Sequence, residues 1–166
     1  MDQTTLDKLN QLHPKLRSIA IACYNKAVQQ TPIGVHPIII ETYRSFDESN
    51  HLYELGRTKV NPDGKKPSKP YGNIVSNAQA GTSWHNWGLA IDFGLMRNGK
   101  PVYENDPQWM TVVKIFEAAG FNSGLYFPED IIDPDHLEHK MGQTINGLLA
   151  KYKAKDFIPG TTYVNF

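Results

Sequence analysis

His85 and Asp92 stand seven positions apart, with Gly88 between them, in Ser83-Trp84-His85-Asn86-Trp87-Gly88-Leu89-Ala90-Ile91-Asp92. Imidazole and carboxylate are both ligands of zinc. On a straight helix the two would share a face but lie about 10.5 Å apart along the axis. Ligands of one zinc each sit about 2 Å from it, so a helix fails. On a straight strand an odd offset puts the side chains on opposite faces. A shared ion therefore demands a bend, and Gly88 is where the chain can take one. A third candidate lies in Asp133-Pro134-Asp135-His136-Leu137-Glu138-His139. With His136 the set becomes two imidazoles and one carboxylate, with a fourth position free for water, as in catalytic zinc sites. Such a metal brings the pKa of a water to about 7. A carboxylate must then take the proton and deliver it to the leaving amine. Asp133, Asp135 and Glu138 are each near enough in sequence to serve. For any one His–Asp pair the plain alternative is a buried histidine bonded to an acid.

The whole set, Ser-x-His-x-x-Gly-x-Ala-x-Asp followed by Asp-x-x-His, resembles the peptidoglycan metallopeptidases. That family includes D-Ala-D-Ala peptidases and phage L-alanyl-D-glutamate endolysins. The resemblance implies His85, Asp92 and His136 as zinc ligands and Asp133, first in Asp-x-x-His, as general base. A second stretch, Tyr43-Arg44-Ser45 with Leu52-Tyr53-x-x-Gly56-Arg57-Thr58, is similar to a motif of the phage endolysins. Alone, an arginine there reads as a surface salt bridge. The resemblance instead implies that Arg44 holds the substrate carbonyl or carboxylate and stabilises the oxyanion. Ser49 stands where many relatives carry Gln, and Arg57 reads as structural. Ser83 either bonds substrate or caps the turn that aims His85. Trp84, beside the ligand, has the best claim to line a cleft, whereas Trp87 and Trp109 read as core. Tyr126-Phe127-Pro128 replaces a Trp-Gly-Gly-like stretch, which implies an altered pocket rim with Tyr126 on the substrate. Glu138 matches a position that orients neighbours in relatives.

Several elements must position these groups. Residues 4–30 read as one helix, with Leu16, Ile19, Ala20, Cys23 and Ala27 as its apolar stripe. Residues 36–42 read as a strand. Ser45 and Glu48 form a capping box for a helix ending near Gly56, with Leu52 and Leu55 toward the core. Residues 58–72 are a lysine-rich loop, read as solvated in preference to a flap over an acidic substrate. Residues 74–78 read as a short strand and turn. Leu89 to Leu95 reads as a mostly buried strand, and Asn98-Gly99 as a hairpin turn back through Val102. Asp106 and Pro107 open a helix that Gly120 closes. Around Leu137 the alternation of a strand puts His136 and Glu138 on one side and His139 on the other, so His139 is no fourth ligand. Residues 144–152 read as a final helix. The sum is an α+β domain, a small mainly antiparallel sheet flanked by helices, and the resemblance implies the fold shared by D-Ala-D-Ala peptidases and hedgehog-type proteins.

The 166 residues read as one catalytic domain without a separate wall-binding domain. Seventeen basic and seventeen acidic residues balance, which points away from nucleic acid. Cys23 is the lone cysteine, so no intramolecular disulfide forms. No stretch approaches the roughly 20 apolar residues of a membrane span, and no signal peptide is visible. The pattern of a calcium-binding hand is absent, so no second ion is expected. The resulting expectation is a monomeric zinc peptidase of peptidoglycan, made in the host cytoplasm and acting on the wall in the periplasm. Its favoured reaction is cleavage of L-Ala–D-Glu as a phage endolysin, with a holin for access. A D-Ala-D-Ala carboxypeptidase and a non-catalytic, zinc-stabilised binding domain are the alternatives.

Overall fold

The computed structural model describes residues 1–166. Its centre is strand β2 (Ala90–Arg97), and every pairing in the sheet is antiparallel. Strand β1 (Val35–Glu41) runs along one edge of β2. The other edge is divided between β3 (Lys100–Val102) and β5 (His136–Glu138), with β4 (Asn122–Ser123) beyond β5. Helices flank the sheet, so the α+β expectation holds. Ala90, Ile91, Phe93 and Leu95 of β2 are all buried, as a strand covered on both faces requires. Asn98 (φ 50°) and Gly99 (φ 78°) make the turn to β3 with positive angles at both positions, the geometry that twists a hairpin correctly.

Residues 4–30 form two helices, α1 (Gln3–Asn10) and α2 (Pro14–Gln30), in place of the expected one. Pro14 explains the break. Its ring drives the preceding residue out of the helical region, and His13 is extended at ψ 134°. The apolar stripe nevertheless continues through Leu9, Leu12 and Leu16, all fully buried. His13 is structural. Its Nε2 meets the Val164 carbonyl oxygen at 3.0 Å, and its ring stacks on Phe166.

Helix α3 (Phe46–Glu54) begins at Ser45, whose Oγ accepts from the Glu48 amide at 3.1 Å. Leu52 and Leu55 are only half-buried, contrary to expectation, and the buried residue of α3 is Ser49. The helix turns Leu52 toward a cleft rather than into the core. Residues 74–78 form no strand. Side chains hold them instead: Arg57 Nη1 donates to the Tyr53 and Ser76 carbonyls at 2.6 and 2.7 Å, and its guanidinium lies over the Tyr53 ring. Arg57 is therefore structural, as read. Helix α4 (Pro107–Glu117) is capped by Asp106, and α5 (Ile145–Lys153) follows β5. One apolar cluster joins α1, α2, α4 and α5 to the sheet. Each fully buried Leu, Ile or Phe in it contributes about 1.5–3 kcal/mol.

Candidate metal centre

His85 lies in a single turn of 3-10 helix, Trp84–Trp87, that ends at Gly88. Gly88 has φ 65° and ψ 31°, the left-handed conformation. A Cβ there would lie 2.6 Å from the backbone nitrogen of His13, whose amide donates to the Gly88 carbonyl at 2.9 Å. The bend thus sits where it was expected, and β2 leaves it with Asp92 brought round to His85. His136 opens β5 directly opposite Asp92 in the ladder. The turn and β2 are neighbours in sequence, and β5, distant from both, meets them because it pairs with β2.

His85 Nε2, Asp92 Oδ1 and His136 Nδ1 form a nearly equilateral triangle with sides of 3.1, 3.1 and 3.2 Å. A tetrahedron with bonds of about 2.0–2.1 Å has edges of about 3.3–3.4 Å, close to these sides. The other ring nitrogens face acceptors. His85 Nδ1 donates to the Thr42 carbonyl at 2.8 Å, and His136 Nε2 lies 3.5 Å from Glu138 Oε2. Protons held there leave both inner nitrogens as bare lone pairs aimed at a carboxylate oxygen. Three acceptors this close need a positive species among them. Burial disfavours charge on His136, but hydrogen bonds to Asp92 and Glu138 raise it to about 9, so a proton can serve. Burial also opposes charge on Asp92, and bonds from His136 and His85 override it, holding its carboxyl far below the usual range. A proton satisfies one pair of the triangle, whereas a divalent cation satisfies all three atoms at once. The residues fit a metal, and the set is His85, Asp92 and His136. His139 is outside it and contacts the Ala119 carbonyl at 3.2 Å.

The triangle opens on a cleft of about 790 Å³ whose lining includes Arg44, Ser83, Trp84, Asp133 and Asp135. Burial first, and then the neighbouring Asp133, raise Asp135 to about 7. Ser83 caps the turn, its Oγ accepting from the His85 amide at 3.3 Å, and it also lies in the cleft lining. No residue of the lysine-rich loop lines the cleft, in keeping with the solvated reading. Tyr126 needs a correction. It ends a 3-10 turn, Gly124–Tyr126, and is 66% exposed outside the cleft, while Phe127 lines it and sits 5.8 Å from the His136 ring. The tight turn rotates successive side chains by about 120°, so Phe127 takes the position assigned to Tyr126.

Several residues here escaped the sequence reading. Asn86, between the ligand and Trp87, donates to the Arg44 carbonyl and Ser49 Oγ and accepts from the Gly81 amide. It ties the Arg44 segment to α3 and the metal turn, and Ser49 gives it a buried acceptor. Gly124 gives the acid turn room, since a Cβ there would fall 2.2 Å from the Asp133 carbonyl oxygen. Trp109 is core, as read, and also donates from Nε1 to the Pro134 carbonyl at 3.0 Å. Trp109→Phe keeps most of the apolar volume and removes this bond. The expected loss is about 1 kcal/mol, visible as a Tm lowered by roughly 2–4 °C in a thermal melt.

The pattern of the family described as D-alanyl-D-alanine carboxypeptidase matches residues 76–139. That span holds His85, Asp92, Asp133 and His136 and stops short of Arg44. A Bacillus subtilis (strain 168) protein, peptidoglycan L-alanyl-D-glutamate endopeptidase CwlK, is 35% identical over 124 residues. The match covers 69% of this chain and 66% of that protein's length.

Proposed function

The chain belongs to the family of D-alanyl-D-alanine carboxypeptidase-type peptidases, and we propose that it hydrolyses a peptide bond in the stem peptides of bacterial peptidoglycan, L-Ala–D-Glu first among them. One observation carries this reading: the three convergent ligand atoms open on the same cleft as Asp133 and Arg44.

A zinc ion held by His85, Asp92 and His136 would supply Lewis acidity and a water acidic near neutral pH. The chain's own residues do the rest. The Thr42 carbonyl and Glu138 fix the tautomers of the two histidines. Asp133 takes a proton from the attacking water and passes it to the leaving amine, with Asp135 in the same cleft lining. Arg44 offers N–H groups to the carbonyl oxygen as negative charge grows there. Ser83, Trp84 and Phe127 bound the space around the scissile bond.

Two observations favour an internal bond over a terminal one. The similar B. subtilis protein is named an endopeptidase. Arg44 is also the one lysine or arginine lining the cleft, and Glu41 already holds two of its N–H groups. Recognition of a free terminal carboxylate calls for an uncommitted cation. The family description favours the second reading, release of D-Ala from stem peptides. The setting we propose is a monomer acting on the wall in phage lysis, with a holin opening the path. The Tyr43 to Thr58 stretch supports that setting. No helix is long and apolar enough to cross a membrane.

Mass spectrometry of purified peptidoglycan digested by zinc-loaded protein tests the reaction. The expected products are saccharides ending in L-Ala and peptides beginning with D-Glu, both lost with chelator. Free D-Ala in their place moves the enzyme to the carboxypeptidase reading. No metal-dependent product from several wall types rejects hydrolysis and leaves a zinc-stabilised binding domain.

A further inference from the structure

Glu41 lies outside the proposed machinery, yet the sheet goes out of its way to bring it there. Strand β1 pairs with β2 in regular register up to Ile39↔Phe93, then breaks, and the next pair is Glu41↔Asp92. Ile40 is the extra residue and is 48% exposed. Without this bulge Ile40 would stand opposite Asp92 and Glu41 would point to the other face. Bulges commonly re-aim a side chain next to a functional site. Here one sets a second carboxylate directly across from a proposed metal ligand, an arrangement that repels unless a cation intervenes.

Arg44 is that cation. Its Nε donates to Glu41 Oε1 at 2.7 Å and its Nη2 donates to Glu41 Oε2. The same Nη2 lies 3.9 Å from Asp92 Oδ2, too far for a direct hydrogen bond. The group is mostly enclosed, with side-chain exposures of 13% for Arg44 and 17% for Asp92. Asp92 therefore turns Oδ1 to the two histidines and Oδ2 toward a guanidinium held at arm's length.

We propose that Glu41 is a positioning residue for the metal centre: it clamps Arg44 through a two-point ion pair and so keeps the guanidinium from capturing Asp92. The inference rests on the metal-ligand role of Asp92. An arginine released from Glu41 would have its fork free, and a carboxylate is the partner that fork fits best. Asp92 is the nearest one. A two-point pair with Arg44 would engage Oδ1 as well as Oδ2 and compete directly with the metal.

Zinc affinity, measured by competition with a chromogenic chelator, reads this without any substrate. Glu41→Gln is expected to weaken zinc binding by about tenfold, the lower end for loss of an outer partner of a metal ligand. The double variant Glu41→Gln/Arg44→Gln is expected to recover most of that loss, because the competitor for Asp92 is gone. A role in folding alone gives no recovery, so a double variant as weak as the single overturns the proposal. Unchanged affinity in Glu41→Gln, with an unchanged Tm showing that the fold is intact, also overturns it. A wild-type chain that binds no zinc removes the metal centre itself and this inference with it. Wild-type binding without a response to Glu41→Gln sinks the clamp alone.

Discussion

Asp133→Ala lowers peptide cleavage by about 10²–10⁴-fold, the usual worth of a general acid–base group, and leaves zinc content at the wild-type level. The two halves of that result have separate causes. The turn carrying Asp133 is held by its backbone, not by its side chain: the Asp133 amide donates to the Gly124 carbonyl and the His136 amide to the Asp133 carbonyl, each at 3.1 Å. Trp109 anchors Pro134 in the same turn. Truncation at Cβ leaves these bonds in place, so His136 keeps its aim. The carboxylate itself belongs to an exposed residue of the cleft lining, with Asp135 in the same lining. The measurement is kcat on a defined muropeptide beside metal analysis of the same sample. Full activity would reject Asp133 as the base. Asp135→Asn in parallel separates the two acids, because a neighbour that only positions Asp133 gives the smaller loss of the pair.

Gly88→Ala damages both fold and site. Alanine in the left-handed region costs about 1–2 kcal/mol. The added Cβ would also stand 2.6 Å from the His13 nitrogen, a backbone atom that no side-chain rotation can move aside. With relief only by shifting the turn, a total near 3 kcal/mol is expected, hence a Tm lower by roughly 6–12 °C for a chain of this size. The shift has a second consequence. Gly88 follows the turn bearing His85 and precedes the strand bearing Asp92, so the triangle opens with it. Zinc affinity should fall together with Tm. A Gly88→Ala protein with wild-type Tm and zinc affinity would mean that the bend does not set the ligand geometry.

What the sequence made legible was local. The bend at Gly88 follows from a requirement that two ligands seven apart share one ion. Ser45, Asp106 and Asn98-Gly99 carry their structure in their own chemistry, and each does what its type predicts. Pro14 was legible too, but the apolar stripe read from the sequence, Leu16 to Ala27, lies wholly within α2 and carries no information on what precedes it. Glu41 gave no signal, because its role depends on a bulge and on a strand some fifty positions away. Leu52 was misread because periodicity marks an apolar side of a helix without saying whether protein or open cleft will face it. The exchange of Tyr126 for Phe127 is a slip of one position, and a 3-10 turn makes one position the difference between solvent and site.

The central claim is one catalytic metal held by His85, Asp92 and His136. Its most direct test is to strip the protein with a chelator and titrate zinc back while following release of D-Glu-starting peptides from purified peptidoglycan. The account predicts no cleavage at the start, a linear rise, and a break at one zinc per chain that His136→Ala abolishes. Cleavage that survives full metal removal, or that returns equally in His136→Ala, would contradict it.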